Sequence, residues 1–212
     1  MGATWVLSVL RAMACEFALA RELVERTGSL LKAIAHPRPL ITLSHAEGLI
    51  EMLAGEPTRA AQAYRRGIEI ARAIGDADGA DLHAVRLAEA LCLIGRGEEA
   101  AEAVRPVPSP PENGSLSSSA RWRLARARVL ALQGELAEAE SHVRVATALV
   151  ASTDLVNLRG DVMLVLADVL EAEARSVESA VALGEALRLY EQKGNVAAAA
   201  LGHSQLQAKQ SA

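Results

Sequence analysis

A small residue followed five positions later by alanine or serine recurs five times along this chain: Cys15/Ala20, Gly55/Ala60, Gly95/Ala100, Gly134/Ala139 and Ala174/Ser179. The steps from 15 to 55 and from 55 to 95 are 40 residues each, that from 95 to 134 is 39, and that from 134 to 174 is 40. A fixed period of this length, with each unit reading helix–turn–helix, predicts a stack of helical hairpins in which each unit covers the apolar face of the next. Such a stack offers a long surface, and a surface binds without catalytic residues.

The expectation inside each unit is equally regular. First helices are predicted over Thr4–Ala14, Leu40–Ala54, Asp81–Ile94, Ser118–Gln133 and Thr153–Glu173, and second helices over Phe17–Ala35, Pro57–Ile74, Glu98–Val104, Leu136–Ala151 and Ser176–Gln192. A closing helix is predicted over Val196–Lys209. Apolar residues recur at three- and four-residue steps, as in Val162, Leu166, Val169 and Leu170, and no alternating strand pattern stands out. Thr153 or Asp154 is expected to cap the last first helix, Gly194 to stop the helix before the closing one, and Pro57 to sit in a first turn, where its missing N–H costs little.

Ser8, Gly48, Ala88, Ala127 and Ala167 lie seven positions before the turns, where short side chains let paired helices cross closely. Val24, Tyr64, Val104, Val143 and Leu183, four past the alanine or serine that follows each turn, are expected to fill the space between layers. This is the layout of the tetratricopeptide unit, whose usual period is about 34 residues. The fold class expected is therefore all-α: an α-solenoid of about five tetratricopeptide-like repeats of period about 40, plus a closing helix, curving as a right-handed stack whose first and fifth repeats stay apart. One domain is expected, with repeats at about 1–38, 39–77, 78–117, 118–152 and 153–193 and the closing helix at 195–210. The Pro-, Ser- and Gly-rich segment 105–119 reads as a surface loop within the solenoid, because the period survives across it.

Composition narrows the function. A net charge of −4 lacks the basic footprint of a nucleic-acid binder. No apolar run approaches the roughly 20 residues of a membrane span. The N-terminal WVLSVLRAMAC superficially resembles an export segment, but Arg11 interrupts it and its phase matches the later first helices. Cys15 and Cys92 fall at different repeat positions, which favours free thiols and a cytoplasmic setting over a disulfide.

The stretch Arg121 to Asn195 carries Asn157-Leu158-Arg159 with Asp161, Leu166-Ala167-Asp168-Val169-Leu170, and Leu189-Tyr190-Glu191 with Lys193-Gly194-Asn195. Through these residues it resembles the C-terminal tetratricopeptide-like arm of large actinobacterial regulators. Those proteins join a class III nucleotide cyclase domain, or a LuxR-type DNA-binding domain, to a P-loop ATPase. Residues 1–120 match more loosely, through LAGEPTRAAQAYRRGIEIARAIGD and LAEALCLIGRGEEAAEAV. The resemblance implies a regulatory module, either a signalling scaffold or the ligand-sensing arm of such a regulator, with an upstream ATPase or cyclase domain as partner. The chain has no GxxxxGK[ST] loop of its own. With the first repeat beginning almost at Met1, a fragment or a protein that has lost upstream domains is expected.

No catalytic, metal or cofactor constellation is expected. Gly95-Arg96-Gly97 falls where every other unit has its turn; His36, His45, His83, His142 and His203 fall at unrelated positions and read as exposed or half-exposed; Cys92 reads as buried and inert; Ser117, Ser118 and Ser119 read as loop and cap residues. One charge pattern stands above the rest. Glu89, Arg128 and Asp168 occupy equivalent positions in successive first helices, and Arg121 and Asp161 lie seven residues, about two helical turns, before the last two. Stacking would set them side by side on the concave face, either as links between repeats or as a polar floor for a protein, peptide or acidic ligand. Apolar residues at the ends, Trp5, Val6, Val9 and Leu10 on the first helix and Val196, Ala200 and Leu201 on the last, predict a partner, a missing domain or self-association.

Overall fold

The computed structural model describes residues 2–33, 37–107 and 115–210, with the side chains of 2, 3 and 208–210 outside the description. Within them lie eleven helices and no strand: α1 (Gly2–Met13), α2 (Phe17–Ala33), α3 (Arg38–Leu53), α4 (Pro57–Ala73), α5 (Ala77–Leu93), α6 (Gly97–Val104), α7 (Leu116–Gln133), α8 (Leu136–Val150), α9 (Val156–Ala172), α10 (Ser176–Lys193) and α11 (Val196–Gln210). The end of the second helix expected to reach Ala35, together with His36 and residues 108–114 of the 105–119 loop, falls outside the described residues.

All five small turn residues adopt the left-handed conformation, with φ of 63° at Cys15, 74° at Gly55, 74° at Gly95, 83° at Gly134 and 59° at Ala174. Each closes its helix with the same pair of backbone bonds. At the fifth turn, Arg175 N donates to Leu170 O at 2.9 Å and Ala174 N to Glu171 O at 2.9 Å, the Schellman arrangement that satisfies the last carbonyls. Left-handed backbone strains any residue with a Cβ. Ala174→Gly should therefore raise stability by about 0.5–1 kcal/mol, read as a higher urea midpoint, and Cys15→Gly should act in the same direction.

The residues five past these turns, Ala20, Ala60, Ala100, Ala139 and Ser179, have no accessible surface. The small residues seven before the turns are likewise buried. Helices α1, α3, α5, α7 and α9 pack one on the next as an inner layer. The intervening α2, α4, α6 and α8 each pack on their own first helix and on the first helix that follows. The architecture is thus all-helical and solenoid-like.

Helices α1 and α3 start two residues earlier than expected, at Gly2 and Arg38, and three further starts differ for local reasons. Helix α5 starts at Ala77, earlier than Asp81, because the Asp76 carboxylate accepts from Gly79 N at 3.0 Å and caps it there. Helix α7 starts at Leu116, capped by Ser115, whose Oγ accepts from Ser118 N at 3.1 Å, so Ser117 to Ser119 belong to its first turns. Helix α9 starts at Val156 without a side-chain cap. Thr153 instead donates to Val150 O at 2.8 Å and belongs to the turn that ends α8.

The ends of the array meet, contrary to the expectation that the first and fifth repeats stay apart. Helix α11 lies against α1 and α3, with Leu201 over the Gly55 turn. Asn157 at the start of α9 reaches Met13 at the end of α1, its Nδ2 3.9 Å from the sulfur. The closing helix thus bridges the first two inner helices of the array.

Candidate functional site

The inner layer brings all five candidate residues together. Helix α5 supplies Glu89, α7 supplies Arg121 and Arg128, and α9 supplies Asp161 and Asp168. Arg121 Nη1 donates to Asp161 Oδ2 at 3.3 Å, and Arg128 Nη1 donates to Asp168 Oδ2 at 3.1 Å. Each pair joins residues 40 apart, so one helical unit separates donor from acceptor. Glu89 is held by Arg86 of its own helix, whose Nη1 donates to Glu89 Oε2 at 2.9 Å.

Arg86 and Tyr190 belong to the site but were not among the residues expected. Arg86 could have been found from its i, i+3 spacing to Glu89 on one helix face. Tyr190 had no such signal. It comes from the last turn of α10, crosses Gly160 and donates from its hydroxyl to Asp161 Oδ1 at 2.9 Å. Three guanidinium groups therefore face three carboxylates, and the row is neutral as a set.

The electrostatics follow the same geometry. Burial opposes the charge on Arg128, but Asp168 and then Glu89 outweigh it and hold the guanidinium above its usual range. Burial and the neighbouring Arg86 bring Arg121 below its usual range despite Asp161. Burial also opposes Arg86, which Glu89 foremost keeps charged. The Arg128 side chain is 16% exposed and that of Asp168 32%, so the arginine is the buried anchor and the carboxylate faces solvent.

A second polar cluster adjoins the row through Arg86 and corrects the expectation for His83 alone; His45 and His142 are half-exposed and His203 exposed, as expected, and His36 lies outside the described residues. His83 is fully buried, with its ring centroid 5.6 Å from that of His45 and 6.1 Å from that of Tyr64. His83 Nδ1 lies 2.8 Å from Gly79 O. His83 Nε2, His45 Nδ1, Tyr64 Oη and Arg86 Nε are buried without a hydrogen-bond partner. The two histidines meet because α3 and α5 are adjacent in the inner layer, a proximity that their unrelated repeat positions concealed. His142 stacks against Trp122 at 5.6 Å. Cys92, expected to be buried, is half-buried because it lies on the edge of the inner helix α5. Partial burial still pushes its thiol up to about 11, which leaves little thiolate at neutral pH; Cys15 is an exposed free thiol on the first turn.

Among the described residues no group of three His, Cys, Asp or Glu side chains is placed to hold a metal, and no helix is long and apolar enough to cross a membrane. Gly95-Arg96-Gly97 forms the third inter-helix turn. Two shallow surface depressions lie on outer helices, one along Ala137, Glu140, Ser141 and Arg144 of α8, the other between Arg65 and Glu69 of α4 and Glu102 of α6. Neither includes the charged row.

No protein-family model and no curated protein matches this sequence. Among solved structures the chain is similar to BtubC (BKLC) from P. vanneervenii, with a TM-score of 0.55 and 16% identity over 90% of this chain and 79% of that one. At that identity the likeness carries the fold.

Proposed function

We propose that this chain is a non-enzymatic helical-repeat module for protein–protein contact and regulatory scaffolding in bacterial signalling, built from five tetratricopeptide-like units of about 40 residues. The observation that supports it is the row of Glu89, Arg121, Arg128, Asp161 and Asp168, which three successive inner helices align and their own ion pairs orient. Side chains already held in place lose little freedom when a partner segment docks. Asp161 and Asp168 keep about a third of their side-chain surface in solvent, enough to accept from an incoming cationic or amide group. The attached ATPase or cyclase domain implied by the resemblance is the first partner to consider, and a free peptide segment the next.

Arg128→Ala tests the reading. The lost bond is charge-assisted, but the stranded Asp168 can recruit water, so stability should fall by only about 1–2 kcal/mol. Peptides selected on the purified chain from a random displayed library should bind the variant at least about tenfold more weakly, since each lost charge pair at an interface costs more than one on the surface. Selected peptides that bind equally well after substitution of Arg128, Asp161 and Asp168 would overturn the reading.

A further inference from the structure

Helix α10 departs from a pattern that the other outer helices share. Three positions past the turn those helices carry Ala18, Thr58, Glu98 and Ala137, and four further on Glu22, Gln62, Glu102 and Ser141. All eight are exposed, although α4, α6 and α8 have repeats on both sides, so these positions face solvent wherever they recur. None of them holds a large apolar side chain. In α10 the same two positions are Val177, 82% exposed, and Val181, 70% exposed, the most exposed large apolar residues among those described. The next position on this face is charged in the other repeats, as Glu25, Arg65, Arg105 and Arg144, and is Gly184 in α10. A glycine inside a helix lowers its stability, and among the described residues nothing lies within 4 Å of where the Gly184 Cβ would be. Packing within one chain gives no reason for that glycine.

Close approach of a second backbone supplies one. Val177, Val181, Gly184 and Arg188 follow at steps of four, three and four, so they share one side of α10. That side is complementary to itself about a two-fold axis between Val181 and Gly184. With a second α10 laid antiparallel across the axis, Val181 of each copy meets Gly184 of the other, and the aliphatic stem of Arg188 covers Val177. The same register sets each Arg188 guanidinium between its own Glu185 and Glu178 of the other copy, whereas parallel pairing sets like charges side by side. Both groups have capacity left for this. Glu185 takes Nε and Nη2 of Arg188 at 2.8 and 2.6 Å, while Nη1 meets Gln192 at 3.5 Å, the outer limit of a bond. Each Glu178 oxygen accepts from Arg175, at 2.8 and 2.7 Å, and each has a second lone pair. A projection matched to a gap, and a cation matched to an acid, on one surface and about one midpoint, is what a contact between identical faces requires.

We propose that the 177–188 face of α10 pairs antiparallel with the same face of a second copy of this chain, forming a two-fold dimer. One helix pair is a small contact, below the roughly 1,200 Å² of standard interfaces, so the dimer is reversible and forms between micromolar and millimolar concentration. The face lies on the outer layer and the charged row on the inner one, so a dimer presents two rows at once and favours partners that carry two docking segments. The contact stands independently of the role proposed for the row.

Sedimentation velocity on the full chain, from micromolar to millimolar concentration, should show a monomer passing to a dimer and no larger species. Val181→Glu should weaken the dimer at least about tenfold, because it sets two carboxylates into the centre of the contact. The fold should survive it, since α2 and α6 carry Glu22 and Glu102 at this exposed position. Gly184→Arg, the residue type of three other repeats, should weaken the dimer as much while leaving the melting temperature of the dilute chain no lower. Charge tests the register. Glu178→Arg and Arg188→Glu chains should each dimerise at least about tenfold more weakly than the parent, and an equimolar mixture of the two should recover the dimer, because each altered residue then meets its opposite. A parent chain that stays monomeric at millimolar concentration, association that survives Val181→Glu, species that grow beyond a dimer, or a mixture no better than its components would each overturn the proposal. Association that Leu10→Asp abolishes would do the same, since it would put α1 in the contact instead of α10. Peptides selected through Arg128 should bind Val181→Glu as they bind the parent chain, which separates failure here from failure of the scaffolding role.

Discussion

Acidification from pH 7.5 to 5 is expected to remove at least about 2 kcal/mol of folding stability, most of it through the part-buried His45 and the fully buried His83. Burial foremost, helped by Arg86, His83 and Arg121, pushes the His45 imidazole down to about 2. Burial also lowers His83, and Arg86 adds to that, against the raising effects of the Gly79 and Ile41 carbonyls and Asp76. Both are neutral in the folded chain at pH 7, and both titrate near 6.5 when unfolded. Below about pH 6.5 the unfolded chain binds protons that the folded chain refuses, so stability present above that pH is lost as pH falls. His45 contributes a slope of about 1.4 kcal/mol per pH unit, hence about 2 kcal/mol between 6.5 and 5, and His83 adds to the loss in the same direction.

Total stabilities of about 5–15 kcal/mol make that loss visible in urea titrations. His45→Phe should fold at least as well at pH 7, because it removes the unpartnered Nδ1 while keeping a ring against Tyr64 and His83. The same substitution should reduce the acid slope by about one proton. A free energy that stays flat from pH 7.5 to 5 in the parent chain would show that these imidazoles are hydrated in solution.

The contrast between the turns and these histidines explains which features could be read from the sequence. A turn is a local object: a small residue at the left-handed position and a small residue five later suffice, and all five turns stand where that pattern put them. The pairs Arg121–Asp161 and Arg128–Asp168 were legible for the same reason, since one repeat length carries a side chain to the matching place on the next inner helix. Tyr190 was not legible, because it reaches Asp161 from another layer, over a glycine, in a relation no periodicity encodes. The meeting of α11 with α1 and α3 was hidden for a different reason. Curvature accumulates small rotations between units, and a one-dimensional repeat records the units without the rotation. Helix starts slipped where a cap lay outside the apolar pattern, as with Asp76 ahead of α5.

Gly48→Ala is expected to lower stability by about 2 kcal/mol or more, although alanine is the better helix former by about 1 kcal/mol. A Cβ at position 48 would lie 2.2 Å from Tyr64 Cε1, 2.4 Å from Cζ and 2.7 Å from Cδ1. Tyr64 has no accessible surface, and His45 and His83 stand against its ring, so the ring has nowhere to move without displacing both. In a chain of this length the loss should appear as a melting temperature lower by roughly 4–8 °C. Gly184 provides the opposite case: it lies in α10 with nothing within 4 Å of its would-be Cβ, so Gly184→Ala should stabilise by about 0.5–1 kcal/mol. Tyr64→Leu alone should destabilise by leaving a void. Combined with Gly48→Ala it should cost less than the two changes summed, by about 1 kcal/mol or more, because the new methyl then enters the space the ring vacated. Strict additivity, or a stabilising Gly48→Ala, would mean that α3 and α4 do not approach as closely as Tyr64 over Gly48 requires. The crossing that closes the second hairpin would then have to be drawn differently.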